Sequence, residues 1–122
     1  MKKAHNFRQL TIWSDSMELV SLVYGLTSQL PDVERFGLKA QIQRASVSIP
    51  SNIAEGSGRT TTREFIRFLE IAISSSYELE THLILIDMLY KIDTKNVLSD
   101  LGSVQRKLGA FTNKLKSEES IC

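Results

Sequence analysis

The sequence predicts an all-α protein, an antiparallel up-and-down four-helix bundle. Three observations predict it. Apolar residues recur at intervals of three and four along nearly the whole chain, with no alternating run of strand type. Interruptions are few and short, at Pro31-Asp32, Gly56 to Thr61 and Asp93-Thr94. The 122 residues are 42% hydrophobic, enough for one domain around one core. That domain is expected over 1–122, with flexible ends at about 1–6 and 118–122.

The first helix is expected over about 9–29, because Leu10, Trp13, Met17, Val20 and Tyr24 recur at three and four and Val23 and Leu26 widen the stripe. Pro31 ends it and Asp32 caps the next, with Glu34 at the positive end of the helix dipole. The second helix is expected over about 33–57, with Gly37 inside it. Pro50 also falls inside, but the spacing stays in phase from Leu38 to Arg59, so one helix with a bend is expected. On the wheel Pro50 groups with Lys39, Gln43, Ser46 and Ser57, a face expected to meet water. The third helix, about 61–90, opens on a capping box from Thr61 to Glu64. Its stripe is Phe65, Phe68, Leu69, Ala72, Leu79, Leu83, Ile86 and Leu89. The run Ser74-Ser75-Ser76 admits close approach of a neighbour. His82 to Tyr90 is apolar nearly all round, which suggests that a second subunit covers one side. Asp93-Thr94 caps the fourth helix, about 94–117, whose seam is Val97, Leu101, Val104, Leu108, Phe111 and Leu115.

Two polar stripes stand out. Gln41, Arg44, Ser48, Asn52, Glu55 and Arg59 share one face of the second helix, between apolar flanks. Arg67, Glu70, Ser74, Glu78 and Thr81 share one face of the third. Folding the two helices about residue 61 sets Arg44 against Glu78, Asn52 against Glu70, Glu55 against Arg67, Ser48 against Ser74 and Gln41 against Thr81. A packed polar network is the expectation, since an unmade buried hydrogen bond costs roughly 1–3 kcal/mol. If Arg44 neutralised a buried Glu78, Arg44→Ala would cost roughly 3–5 kcal/mol.

Composition excludes more than it proposes. Net charge is +1, with seven Lys or Arg against five Asp or Glu in the first 59 residues and eight against nine in the rest, so neither half is a basic domain. Cys122 is the one cysteine and permits no internal disulfide, which fits a reducing compartment. No signal-peptide core follows Met1-Lys2-Lys3, and no apolar run reaches spanning length, so a cytoplasmic protein is expected. His5 and His82 stand far apart, and Glu78 with His82 is too little for a metal site. Gly56-Ser57-Gly58-Arg59 follows a helix rather than a strand and is a helix end, not a phosphate loop. No nucleophile elbow is present. The expectation is no enzyme, no cofactor and no metal. Lys39, Arg59, Arg63, Arg106, Lys107 and Lys114 are the candidate nucleic-acid contacts, provided an oligomer gathers them.

The segment Gln41-Ile42-Gln43-Arg44-Ala45-Ser46-Val47-Ser48-Ile49-Pro50-Ser51-Asn52-Ile53-Ala54-Glu55-Gly56-Ser57-Gly58-Arg59 resembles the signature of the bacterial four-helix bundle proteins encoded in 23S rRNA intervening sequences. Leu10 with Trp13, Pro31 with Glu34 through Leu38, Phe65 through Ala72 and Glu78-Leu79-Glu80-Thr81 extend the likeness over about residues 7–116. The resemblance implies a ring-like homopentamer. It also implies kinship with the accessory variability determinant proteins of diversity-generating retroelements, which work with a reverse transcriptase and nucleic acid and are more basic than this chain. Expected partners are therefore other copies of the chain, and an RNA or an RNA-associated protein. The competing expectation is a protein-interaction adaptor without nucleic-acid affinity.

Overall fold

A computed structural model describes residues 5–121. Four helices form an antiparallel bundle: α1 (Thr11–Thr27), α2 (Leu38–Ser57), α3 (Thr62–Tyr90) and α4 (Lys95–Ile121). Each packs on its neighbours in sequence, α1 also packs on α4, and the backbones of the diagonal pairs do not approach closely. The described residues contain no strand. The core is aliphatic, built on Leu19, Val23, Ile42, Ile49, Ile53, Leu69, Leu79, Leu83, Ile86, Leu101 and Leu108, with Phe65 as its largest buried side chain.

The helix ends follow local chemistry. Asn6 accepts from the Arg8 N–H and caps a 3-10 turn, Phe7–Gln9, ahead of α1. Within the expected flexible ends, His5 lies 5.3 Å from the Phe65 ring and 6.2 Å from the Phe111 ring, and α4 runs on to Ile121. Residues 1–4 and 122 lie outside the described residues. The Thr61 hydroxyl accepts from the Glu64 N–H at 3.1 Å, completing the expected cap of α3.

The second helix starts five residues later than the spacing predicts. Asp32–Glu34 is a 3-10 turn, and Glu34 reaches forward to accept from the Leu38 N–H at 3.1 Å. A Cβ on Gly37 would sit 2.8 Å from the same Glu34 oxygen, so glycine is what lets the carboxylate cover the new helix start. The other Glu34 oxygen accepts from the Tyr90 hydroxyl at 2.5 Å. This clamp ties the α1–α2 loop to the end of α3.

Pro50 lies within a continuous α2, as the spacing predicts, but the face around it is not wet. Pro50, Ser46 and Ser57 are buried, and Gln43 donates to Thr27 of α1 at 3.1 Å. The serines go under because their hydroxyls donate back to their own helix, Ser46 to Gln43 O at 2.8 Å and Ser57 to Ala54 O at 2.7 Å. The same device changes the core face of α1. Its buried line is Ile12, Ser16, Leu19, Val23, Leu26 and Thr27, whereas Met17 and Tyr24 of the expected stripe are exposed. Ser16 and Thr27 donate to Trp13 O and Tyr24 O, so each enters the core with its donor satisfied. Leu89, expected in the α3 core stripe, is also exposed.

Gly56 belongs to α2 itself rather than to the turn. A Cβ there would lie 2.7 Å from Phe68 Cβ and 2.9 Å from the Phe65 ring. Alanine at 56 should therefore destabilise the protein by about 1–3 kcal/mol through overpacking, outweighing a helix-propensity gain of about 1 kcal/mol. Nothing lies within 4 Å of a Cβ on Gly109, so Gly109→Ala should stabilise by about 0.5–1 kcal/mol. Urea unfolding of both variants checks the pair.

The clamp makes a second prediction. The Tyr90 hydrogen bond, and after it the Leu38 N–H, holds the Glu34 carboxyl below its ordinary 4.5. Hydrogen bonding to Glu34 pushes the Tyr90 phenol above its ordinary 10.0. The Glu34 contribution to stability is complete above 4.5 and is lost as pH falls through the lowered value. The Tyr90 contribution is complete below 10.0 and is lost as pH rises through the raised one. Thermal melts should place Tyr90→Phe below the parent protein at neutral pH, with the gap closing in acid.

Candidate functional site

The polar stripes do not interlock. Phe65 and Phe68 close on Gly56, which sets the rotation of α3. Ser75, not Ser74, then meets Ser48, at 2.8 Å between hydroxyl oxygens. Arg67, Glu70, Ser74, Glu78 and Thr81 consequently all face solvent. Across the seam, Gln41, Arg44 and Glu55 are exposed too, and only Ser48 and Asn52 are half-buried. Asn52 donates within its own helix, to Ser48 O at 2.8 Å and Ser48 Oγ at 2.9 Å, rather than to Glu70. Glu55 pairs with Arg59 at 3.4 Å instead of Arg67. Glu70 pairs with Lys116 of α4 at 2.9 Å. Among the described residues, Arg44, Arg67 and Glu78 take part in no ion pair.

The candidate nucleic-acid contacts do not gather in one chain. Lys39 opens α2 and Arg59 follows its far end, about 30 Å away at 1.5 Å per residue. Arg59 stacks over Phe68, its guanidinium carbon 4.7 Å from the ring centre. Arg63 reaches Glu119 at 3.6 Å, and Lys107 reaches Asp15 of α1 at 2.5 Å. Arg106 and Lys114 are exposed on α4 outside these ion pairs.

Two of the surface concavities bear on a binding role. One, of about 710 Å³, lies between the start of α3 and the end of α4. Arg63, Arg67 and Lys116 face Glu64, Glu70 and Glu119 around Ile66, so the site has no net charge to select an anion. The other, of about 380 Å³, lies between α1 and α2 and is mostly apolar, lined by Trp13, Met17, Val20, Val47, Pro50 and Ala54 with Ser51. The spacing on α1 assigned Trp13, Met17 and Val20 to the core. The overlooked signal was Ile12 and Leu19, which with Val23 and Leu26 make a second apolar line on the same helix. His82 is half-buried, and its Nδ1 has no hydrogen-bond partner among the described residues. No group of three or more His, Cys, Asp or Glu among the described residues converges as a metal site would. No helix among them is long and apolar enough to cross a membrane.

A family profile described as 23S rRNA-intervening sequence protein matches residues 8–110. The chain belongs to that family. Its fold is similar to the crystal structure of a protein of unknown function from the S23 ribosomal protein family of Bacteroides thetaiotaomicron. The TM-score is 0.74 at 24% identity, over 84% of this chain and 95% of the other. A search of curated proteins finds no match.

In this 23S rRNA-intervening sequence protein, the signature-like segment 41–59 serves packing at several positions. Ile42, Ile49 and Ile53 are fully buried, and Gly56 admits Phe65 and Phe68. Arg44 lies on the exposed side of the same segment. Arg44→Ala should therefore change single-chain stability by less than about 0.5 kcal/mol, in place of the larger loss expected for a buried pair. Denaturant unfolding at a concentration where the protein is one chain measures it.

Proposed function

We propose that this 23S rRNA-intervening sequence protein is a non-enzymatic, cytoplasmic scaffold that assembles as a homopentameric ring. The observation that carries the reading is the surface of α3 near its end. Ile84, Met88 and Leu89 are exposed there although the bundle core is complete without them. Val33 and Phe36 of the α1–α2 loop, joined to that end of α3 by the Glu34–Tyr90 clamp, are exposed as well, Phe36 at 86%. Large apolar side chains exposed together at one end of a small bundle favour a contact surface there. The near-neutral charge fits self-association better than a polyanion. Glu34 and Tyr90, whose acidity the fold shifts, bond each other in the clamp and line neither the α3–α4 nor the α1–α2 groove, which favours a structural role for them.

A second reading, direct contact with structured RNA, draws on Arg106 and Lys114. A ring would repeat these exposed cations five times and turn weak contacts into avidity. Size exclusion with in-line light scattering and absorbance at 260 nm tests both readings. The scaffold reading expects a particle of five chain masses. A particle of one chain mass overturns it. RNA that travels with the particle at low salt and leaves at high salt supports the second reading, and a particle that binds no RNA even at low salt rejects it.

A further inference from the structure

The connection between α1 and α2 has little to hold it to the bundle. Leu30 is buried at one end of it, and Leu38 packs against the core at the other. Between them Val33 is 83% exposed and Phe36 86% exposed, and Pro31, Asp32 and Arg35 face solvent as well. The backbone hydrogen bonds of the segment are short-range. The Glu34 N–H donates to Pro31 O at 2.9 Å, the Arg35 N–H to Asp32 O at 3.0 Å and the Gly37 N–H to Glu34 O at 3.0 Å. Such bonds shape turns without fixing them to the rest of the fold.

One side chain does the fixing. Glu34 uses both carboxylate oxygens: Oε1 accepts from the Leu38 N–H at 3.1 Å, and Oε2 accepts from the Tyr90 hydroxyl at 2.5 Å. Gly37 offers α2 no capping side chain, so Glu34 covers that helix start in its place. Tyr90 is the last residue of α3, 56 positions along the chain from Glu34. Among the described residues no other hydrogen bond joins residues 31–37 to α3 or α4. The core continues without this segment, because no buried apolar side chain lies between Leu30 and Ile42. A stretch with so little buried apolar area opens at a lower cost than global unfolding.

We propose that the Glu34–Tyr90 hydrogen bond is a latch on a locally opening segment. Closed, it holds residues 31–37 and the first turn of α2 in place. Open, that segment unravels while the four-helix core stays folded. The exposed side chains of Val33 and Phe36 have a fixed position only in the closed form, so a partner that meets them as a rigid surface selects that form. The latch belongs to the single chain and does not depend on assembly.

Arg35 puts a trypsin site at the centre of the segment. Cleavage there follows the open population when opening and closing are fast. Limited trypsin digestion, with mass spectrometry to place each cut, compares the parent protein with Tyr90→Phe, Glu34→Ala and the double variant. Circular dichroism verifies that each still folds. Tyr90→Phe should speed cleavage after Arg35 by about tenfold, the effect of losing one hydrogen bond to a charged group. Glu34→Ala should speed it at least as much, since both bonds go. The double variant should match Glu34→Ala, because Tyr90 acts only through Glu34. Cuts within α3 and α4 should stay at the parent rate. An unchanged rate at Arg35 in either single variant would overturn the latch. So would a double variant faster than Glu34→Ala, which would give Tyr90 a hold of its own. Cuts that accelerate equally in all four helices would also overturn it, because the bond would then staple the whole fold.

Discussion

The closeness of α2 and α3 at Gly56 governs much of what this bundle presents to solvent. Phe65 and Phe68 approach a backbone that has no Cβ in the way. With that end of the hairpin seated, the rotation of α3 is set, and Ser75 arrives opposite Ser48 about two turns further along each helix. A helix turned by one residue, about 100°, would present a different line of side chains to α2. The charged line Arg67, Glu70 and Glu78 faces water for this reason, and so do Tyr77, Ile84 and Met88.

Helical periodicity carried most of the architecture. The seam of α4 is where the three-and-four spacing puts it, with Val97, Leu101, Val104, Leu108 and Leu115 buried, and the capping box at Thr61 is in place. Two kinds of information were not in the pattern. One is how a hydroxyl behaves once it can donate to its own helix. Ser16, Ser46 and Ser57 count as polar in a wheel, yet all are buried. Their burial moves the core line of α1 and dries the face around Pro50. The other is helix rotation. Matching residue numbers across a hairpin fixes the level at which two side chains sit but not the direction each one points. Arg44 and Glu78 sit at matching levels and still face outward. The late start of α2 has a more local cause, the fold-back of Glu34 over Gly37, which spacing alone does not register.

The surface that results is mixed in sign and locally apolar. Arg63, Glu64, Arg67 and Glu70 alternate in sign at the start of α3 and answer Lys116 and Glu119 around the α3–α4 groove, and further along α3 come the acids Glu78, Glu80 and Asp87. Such a surface draws in a polyphosphate weakly, since no broad field of one sign forms. It suits a partner of matching relief, and another copy of the chain is a partner always present at its own concentration. Membership of the 23S rRNA-intervening sequence protein family agrees with the fold and leaves the role of that surface to experiment.

The rotation of α3 can be measured directly by disulfide trapping in a Cys122→Ser background. Ser48→Cys combined with Ser75→Cys puts two thiols where hydroxyls now lie 2.8 Å apart. Ser48→Cys combined with Ser74→Cys places the second thiol on the exposed side of α3. Mild oxidation should cross-link the 48/75 pair rapidly within one chain and leave the 48/74 pair reduced. Rapid cross-linking of 48/74 with none at 48/75 would contradict the account, because it would return the charged stripe of α3 to the seam.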